Sequence, residues 1–213
     1  MRVLVGYEFS GRTRSAFRRL GRDAWSCDLL PAEDDSPFHY HCDIRDVVHE
    51  AWDLAIFHPP CTYLTCSAEW AYGDGPYHMK LKPGTLVGEA RRAAREAAIA
   101  EVQWLWSLPI PRVVIENPKG ALSSRWMKPS QIIQPYEYGD DASKATCLWI
   151  RGCPLLIPTA HVAPRMINGK PRWGNQTDSG QNKLSPAEDR WKARSKTYPG
   201  IALAFATQLL AEV

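Results

Sequence analysis

Two short runs carry the residue types that could do covalent chemistry. In "FHPPCTYLTC" a thiol, Cys61, stands directly after the rigid Pro59-Pro60 pair. In "RVVIENP" a carboxyl and a carboxamide, Glu116 and Asn117, close an apolar run and precede Pro118. A thiolate is a strong nucleophile when exposed and ionised, and a carboxyl in a dry pocket can keep a proton to donate. Cys61 and Glu116 therefore read as nucleophile and proton donor, with Asn117 placed to orient the loop. The prolines remove backbone freedom and fix the thiol where its strand stops. Cys66 lies close by and reads as structural.

For that pair to meet, both runs must end neighbouring strands. "RVLVG" (2–6), "AWSCD" (24–28), "FHYHCD" (38–43), "DLAIF" (53–57) and "RVVIEN" (112–117) are short apolar strand patterns. "RTRSAFRRLG" (12–21) spaces Ala16, Phe17 and Leu20 helically and stops at a glycine, and alanine-rich 88–107 predicts a longer helix. "QIIQPY" and "ATCLWI" predict a late strand pair, and "GIALAFATQLL" a closing helix. Strands alternating with helices predict an α/β domain with a mainly parallel sheet. The expected organisation is a core over 1–157, a basic loop over 158–197 without regular structure, and a closing segment over 198–213 packed on the core.

Ligands in such sheets collect at the carboxyl ends of the strands. Glu8, Phe9, Ser10 and Gly11 follow the first strand, Asp28 the second, and Asp43 and Ile44 the third. A Ser-Gly turn followed by acids suits a nucleoside cofactor: close backbone approach, and acceptors for ribose hydroxyls and an adenine amine. Pro59, at the end of the fourth strand, is expected to join these residues as a cofactor contact. Asp28 and Asp43 are also natural helix caps.

Composition bounds the class. The 213 residues are 45% hydrophobic, enough for one full domain with a sizeable core. No apolar run approaches the roughly 20 residues of a membrane helix, and the N-terminal run turns polar after a few residues, which predicts an intracellular protein. The six cysteines form no CxxC pair and read as thiols. His39 and His41 share one strand face, Cys42 takes the other, and no second pair at zinc spacing follows, so no metal is expected. The net charge is +3, but residues 161–197 hold eight Lys/Arg against three acids, a local +5. Lys170, Arg172 and Lys183 in that segment, among Asn and Gln, suit a polyanion. Trp173 and Trp191 have the choice of stacking on bases or packing the loop down, with packing the expectation for Trp191.

Together these motifs resemble the DNA (cytosine-5-)-methyltransferase family in a minimal form of the phage or prophage type. "YEFSGRTRSAF" is similar to the cofactor-binding first motif, with Arg12, Thr13 and Arg14 where the family has further glycines. "CD" at 27–28 and "CDIRDV" resemble its acidic motifs, "PPCT" its nucleophile motif, and "ENP" its E-N-V motif. "YEYGDDASKATCLWI" is similar to the late strand motif, with Lys144 and Thr146 at its two arginine positions, so the resemblance makes them nucleic-acid contacts. "RSKTYPGIALAFATQLL" takes the place of the final motif.

The resemblance implies a Rossmann-like S-adenosylmethionine-dependent methyltransferase fold, and a monomer acting on cytosine-containing DNA in the cytoplasm of a bacterial host. The chemistry it implies is Cys61 adding to carbon 6 of cytosine. Glu116, protonated or sharing a proton, neutralises ring nitrogen 3, and carbon 5 then takes the methyl group. With so short a basic segment, a target of only a few base pairs is expected. RNA or a free nucleotide as substrate, and a non-catalytic relic of the fold, are the alternatives. An amino-methyltransferase would carry a polar residue before the prolines and an aromatic after them, where this chain has His58 and a thiol.

Overall fold

The structure, a computed structural model, describes residues 1–77, 81, 83–185 and 189–210. The parts of the expected C-terminal segments at 186–188 and 211–213 lie outside the described residues. Seven strands form the central sheet: β1 (Arg2–Gly6), β2 (Asp23–Asp28), β3 (His39–His41), β4 (Leu54–Phe57), β5 (Arg112–Pro118), β6 (Gln131–Ile133) and β7 (Thr146–Arg151). Their order is β3-β2-β1-β4-β5-β7-β6, and only β7 runs antiparallel to its neighbours. This is a Rossmann-like, mainly parallel α/β arrangement, as expected. From β1 the chain builds outward through β2 and β3, then returns to the other side of β1 as β4. The strand order therefore reverses between β1 and β4, the place where such sheets open a crevice.

Helices cover both faces because the central strands are apolar on both. Leu4, Phe57, Val113 and Ile115 face α2 (Gly88–Ser107), which presents Ile99, Val102 and Leu105 at intervals of three residues. Val3, Val5, Ile56 and Val114 face α1 (Arg12–Arg19) and α5 (Pro199–Gln208) through Phe17, Ile201 and Phe205. Phe17 and Phe205 are fully buried, each worth about 1.5–3 kcal/mol of transfer free energy. Pro199 begins α5 at a position where its missing N–H costs nothing. No described helix is long and apolar enough to cross a membrane.

The segment 158–197 departs from expectation, since it carries regular structure. β8 (Arg165–Ile167) and β9 (Lys170–Arg172) form an antiparallel hairpin, and α4 (Arg190–Ser195) follows. Asn168 and Gly169 make the turn at φ 49° and 72°, the left-handed pair that a tight hairpin requires. The strands are too short to show alternation, so only the Asn-Gly pair marks them in sequence. Trp173 holds the hairpin to the body by stacking on Tyr136 at 4.3 Å, with its indole N–H on the Val162 carbonyl. Trp191, by contrast, is 53% exposed and sits 6.2 Å from Phe9. Packing thus falls to Trp173, the reverse of the expected emphasis.

Candidate active site

β4 and β5 are parallel neighbours with Phe57 paired to Ile115, so the residues after each, His58 and Glu116, meet side by side. Nδ1 of His58 lies 3.0 Å from Oε2 of Glu116, and the two side chains are 7% and 12% exposed. Asn117 points to the other face, where its side-chain N–H reaches the Pro59 carbonyl at 2.9 Å. Pro59 is buried, and Cys61 is exposed at the end of the turn. The Cys61 carbonyl accepts the N–H groups of Leu64 and Thr65 at 3.0 and 3.1 Å, so the loop begins with a closed turn. The Leu64 carbonyl then accepts from Ala121 at the start of α3 (Ala121–Arg125).

Arginines of α2 hold the rest of that loop. Arg95 donates from Nε to the Tyr63 carbonyl at 2.9 Å and pairs with Glu69 at 2.6 Å. Its guanidinium also lies 3.4 Å from the centroid of Tyr72. Arg92 donates to the Tyr72 carbonyl and to Asp74.

The electrostatics join a fifth residue, Lys144, to the site. Burial works to raise the Glu116 pKa, but the Lys144 cation and the His58 contact outweigh it, so the carboxyl falls below its usual value. In the free protein its neighbours therefore favour the carboxylate, which leaves the shared proton of the sequence reading to be brought in with the base. Although Cys61 is exposed, the protein around its sulfur displaces part of the water. This and then the Glu116 charge raise the thiol, while Lys144 and Arg194 pull it back. Lys144 is held by its Nζ donating to the Arg194 carbonyl at 3.1 Å. This brings α4 and the end of the basic segment over the thiol.

On the other side of the switch point, the expected cofactor residues divide. Glu8 is 4% exposed and accepts the N–H groups of Thr13 and Arg14 at 2.6 and 3.1 Å. It is a buried cap of α1, which corrects its assignment as a ligand contact. Ile44 is 4% exposed with its side chain in the core, so it too is corrected. Asp43 caps the short turn of helix at 44–46 through the Arg45 N–H, the capping alternative. Asp28 takes the Leu30 N–H at 2.9 Å and stays partly exposed beside Leu29, which is 71% exposed. The Glu8 N–H bonds the Cys27 carbonyl at 3.1 Å, so the Phe9–Ser10–Gly11 turn and Asp28 are adjacent. Gly11 adopts φ 64° there, in the left-handed region that glycine tolerates best.

The nucleic-acid candidates also divide. Thr146 is 3% exposed and donates its hydroxyl to the Lys144 carbonyl, so it faces no ligand. Arg172 spends its guanidinium on the Asp178 and Pro171 carbonyls. Lys170 and Lys183 are exposed. Among the described residues no cluster of three His, Cys, Asp or Glu could hold a metal. His39 and His41 instead bond the Leu30 and Leu29 carbonyls. Sequence reasoning missed His58 as a site residue, although it directly precedes the prolines. It also missed Arg194, which only the chain's return over the site brings near.

No family model matches the sequence, and no curated protein matches it. Among solved structures the chain is similar to a mutant of DNMT2 from Spodoptera frugiperda, at 15% identity and a TM-score of 0.39. That similarity covers 80% of this chain and 57% of the other, so the chain spans little more than half of that protein's length. The Rossmann-like class follows from the strand order itself.

Proposed function

We propose that the chain is an S-adenosylmethionine-dependent methyltransferase that modifies carbon 5 of cytosine in DNA through a covalent Cys61 adduct. The observation that carries this reading is one constellation. An exposed thiol on a proline turn is tied by Asn117 to the adjacent strand, where Glu116 stands.

The residues across the switch point fit the cofactor by their chemistry. Phe9 and Gly11 are buried, which corrects both as ligand contacts, while Ser10 between them stays partly exposed. Asp28 offers carboxylate oxygens to ribose hydroxyls, and exposed Leu29 offers apolar surface to a purine. Bound there, S-adenosylmethionine supplies an electrophilic methyl group. The protein's own part is to raise the nucleophilicity of the base. The Cys61 sulfur bonds carbon 6, ring nitrogen 3 takes a proton through Glu116, and carbon 5 becomes enamine-like. Lys144, beside both groups, stabilises the thiolate and the carboxylate. A base in a duplex must first leave the stack, at a cost of a few kcal/mol. Exposed Lys170 on the hairpin and exposed Lys183 beyond it suit the phosphates of a nucleic acid.

The test is transfer of a radiolabelled methyl group to matched cytosine-containing DNA and RNA, with Asp28→Ala assayed for cofactor binding. Transfer to DNA with weaker binding in the variant, by about 1–3 kcal/mol, is the expected result. Transfer to RNA alone would replace the substrate. Cofactor binding without transfer to either would make the chain a relic of the fold.

A further inference from the structure

His58 forms one contact with Glu116 and leaves its other ring nitrogen, Nε2, buried without a partner among the described residues. Its main chain is fixed separately, because the His58 N–H bonds the Gly6 carbonyl at 3.0 Å. A histidine kept only for packing has no need to stand against a carboxylate at the mouth of the crevice. Nor would packing alone favour leaving half of a polar ring unsatisfied. The orphaned nitrogen has a consequence for the proton. An N–H on Nε2 would be a buried donor with no acceptor among the described residues, whereas an N–H on Nδ1 is directed at Oε2, so the geometry favours the proton on Nδ1.

Resting on the methyltransferase reading above, we propose that His58 is a positioning residue: its Nδ1–H commits one oxygen of Glu116, so that the other carries the proton exchanged with ring nitrogen 3 of the target cytosine. The bookkeeping of the step closes. Lys144 and the His58 contact favour the Glu116 carboxylate in the free protein, so the proton comes from solvent as the base enters, shared between the carboxylate and ring nitrogen 3. When the sulfur–carbon 6 bond forms, the displaced electron pair settles on ring nitrogen 3, which keeps the proton. The resulting carboxylate is held by the Nδ1–H, now a charge-assisted hydrogen bond and stronger than before. After carbon 5 has taken the methyl group its own proton leaves to solvent, the sulfur–carbon bond breaks as the carbon 5–carbon 6 double bond re-forms, and the ring-nitrogen proton returns through Glu116. His58 itself gains and loses nothing.

The test uses DNA bearing 5-fluorocytosine, which traps the adduct, and follows the rate of trapping across pH for the parent, His58→Leu and His58→Asn. Asparagine places an N–H donor where Nδ1 stands, and leucine does not. Other charged or titratable groups acting on the pair and on the thiol are Lys144, Arg194 and Cys147, and all are unchanged in these variants. His58→Leu should trap about ten- to a hundredfold more slowly, the scale of a lost hydrogen bond to a charged group. Its alkaline limb should move to higher pH, because a carboxylate without its donor holds a proton more tightly. His58→Asn should recover most of the rate and the parent's limb. S-adenosylmethionine affinity should be equal in all three. If the parent traps but His58→Leu matches it in rate and profile, or His58→Asn is as slow as His58→Leu, His58 is a packing residue and the inference falls alone. If the parent traps nothing, the methyltransferase reading fails and takes the inference with it.

Discussion

Asn117 donates its side-chain N–H to the Pro59 carbonyl at 2.9 Å and is itself 1% exposed. One buried hydrogen bond therefore ties the strand that carries Glu116 to the turn that carries Cys61. Asn117→Ala leaves that carbonyl without its partner and should cost about 1–3 kcal/mol of stability. A structural role alone would stop there. Because the bond sets the distance between thiol and carboxyl, the rate of adduct trapping should fall as well. Equilibrium denaturation and trapping on 5-fluorocytosine DNA check the two parts.

Cys61→Ser should abolish methyl transfer and trapping and leave S-adenosylmethionine affinity intact, since the cofactor residues lie across the switch point. Cys66→Ser should be nearly silent. It is exposed, and its sulfur makes a 3.7 Å contact to the Lys119 carbonyl. Trapping that persists in Cys61→Ser would move the nucleophile elsewhere.

Arg95 joins α2 to the loop beyond the thiol through the Tyr63 carbonyl and Glu69, although it is only 5% exposed. Arg95→Met keeps most of the bulk and removes every donor. It should destabilise the protein by about 1–3 kcal/mol and speed proteolytic cutting within 62–77. Denaturation together with limited proteolysis reads both effects. A cut rate equal to the parent's would mean the loop is held without Arg95.

How far these relationships were legible depended on the range of the interaction. The central strands and α2 follow from local apolar pattern, and the placement of Cys61 and Glu116 follows from strands ending at "PP" and "ENP". The fates of Glu8 and Ile44 were not legible. A carboxylate or an apolar side chain at a strand end reads the same whether it turns to a ligand or into the body. Only the Thr13 and Arg14 N–H groups and the packed core decide it. Arg194 was hidden for another reason: it reaches Cys61 and Lys144 across a gap in sequence that no periodicity spans.

The basic hairpin gives a prediction that the structure sharpens. Neutralising Lys170, Arg172 and Lys183 together should weaken DNA binding about equally across sequences. Arg172 is committed to the Asp178 and Pro171 carbonyls. The log–log salt slope should therefore fall by about two units, the contribution of two phosphate contacts, instead of three. Binding measured over a salt series checks this. An unchanged slope would place DNA on another surface.

Lys144 gives the last prediction, through its effect on two titrating groups at once. Its cation lowers both the Cys61 thiol and the Glu116 carboxyl. Lys144→Gln removes that cation, so both pKa values should rise. For the thiol the sign is simple: less thiolate is present at neutral pH. Trapping should slow there, and the limb that rises with thiolate should move to higher pH. For the carboxyl, a pKa held below its unfolded value stabilises the fold above that value, and the stabilisation is lost as pH falls through the folded pKa. With Lys144 gone this contribution shrinks. The variant should be less stable than the parent at neutral pH, with the deficit closing as the solution is acidified through the carboxylate range. Trapping rates across pH and denaturation midpoints across pH are independent measurements of the same cation. If the thiol limb stays in place and the stability deficit does not depend on pH, Lys144 acts on neither group, and its hydrogen bond to Arg194 is its whole role.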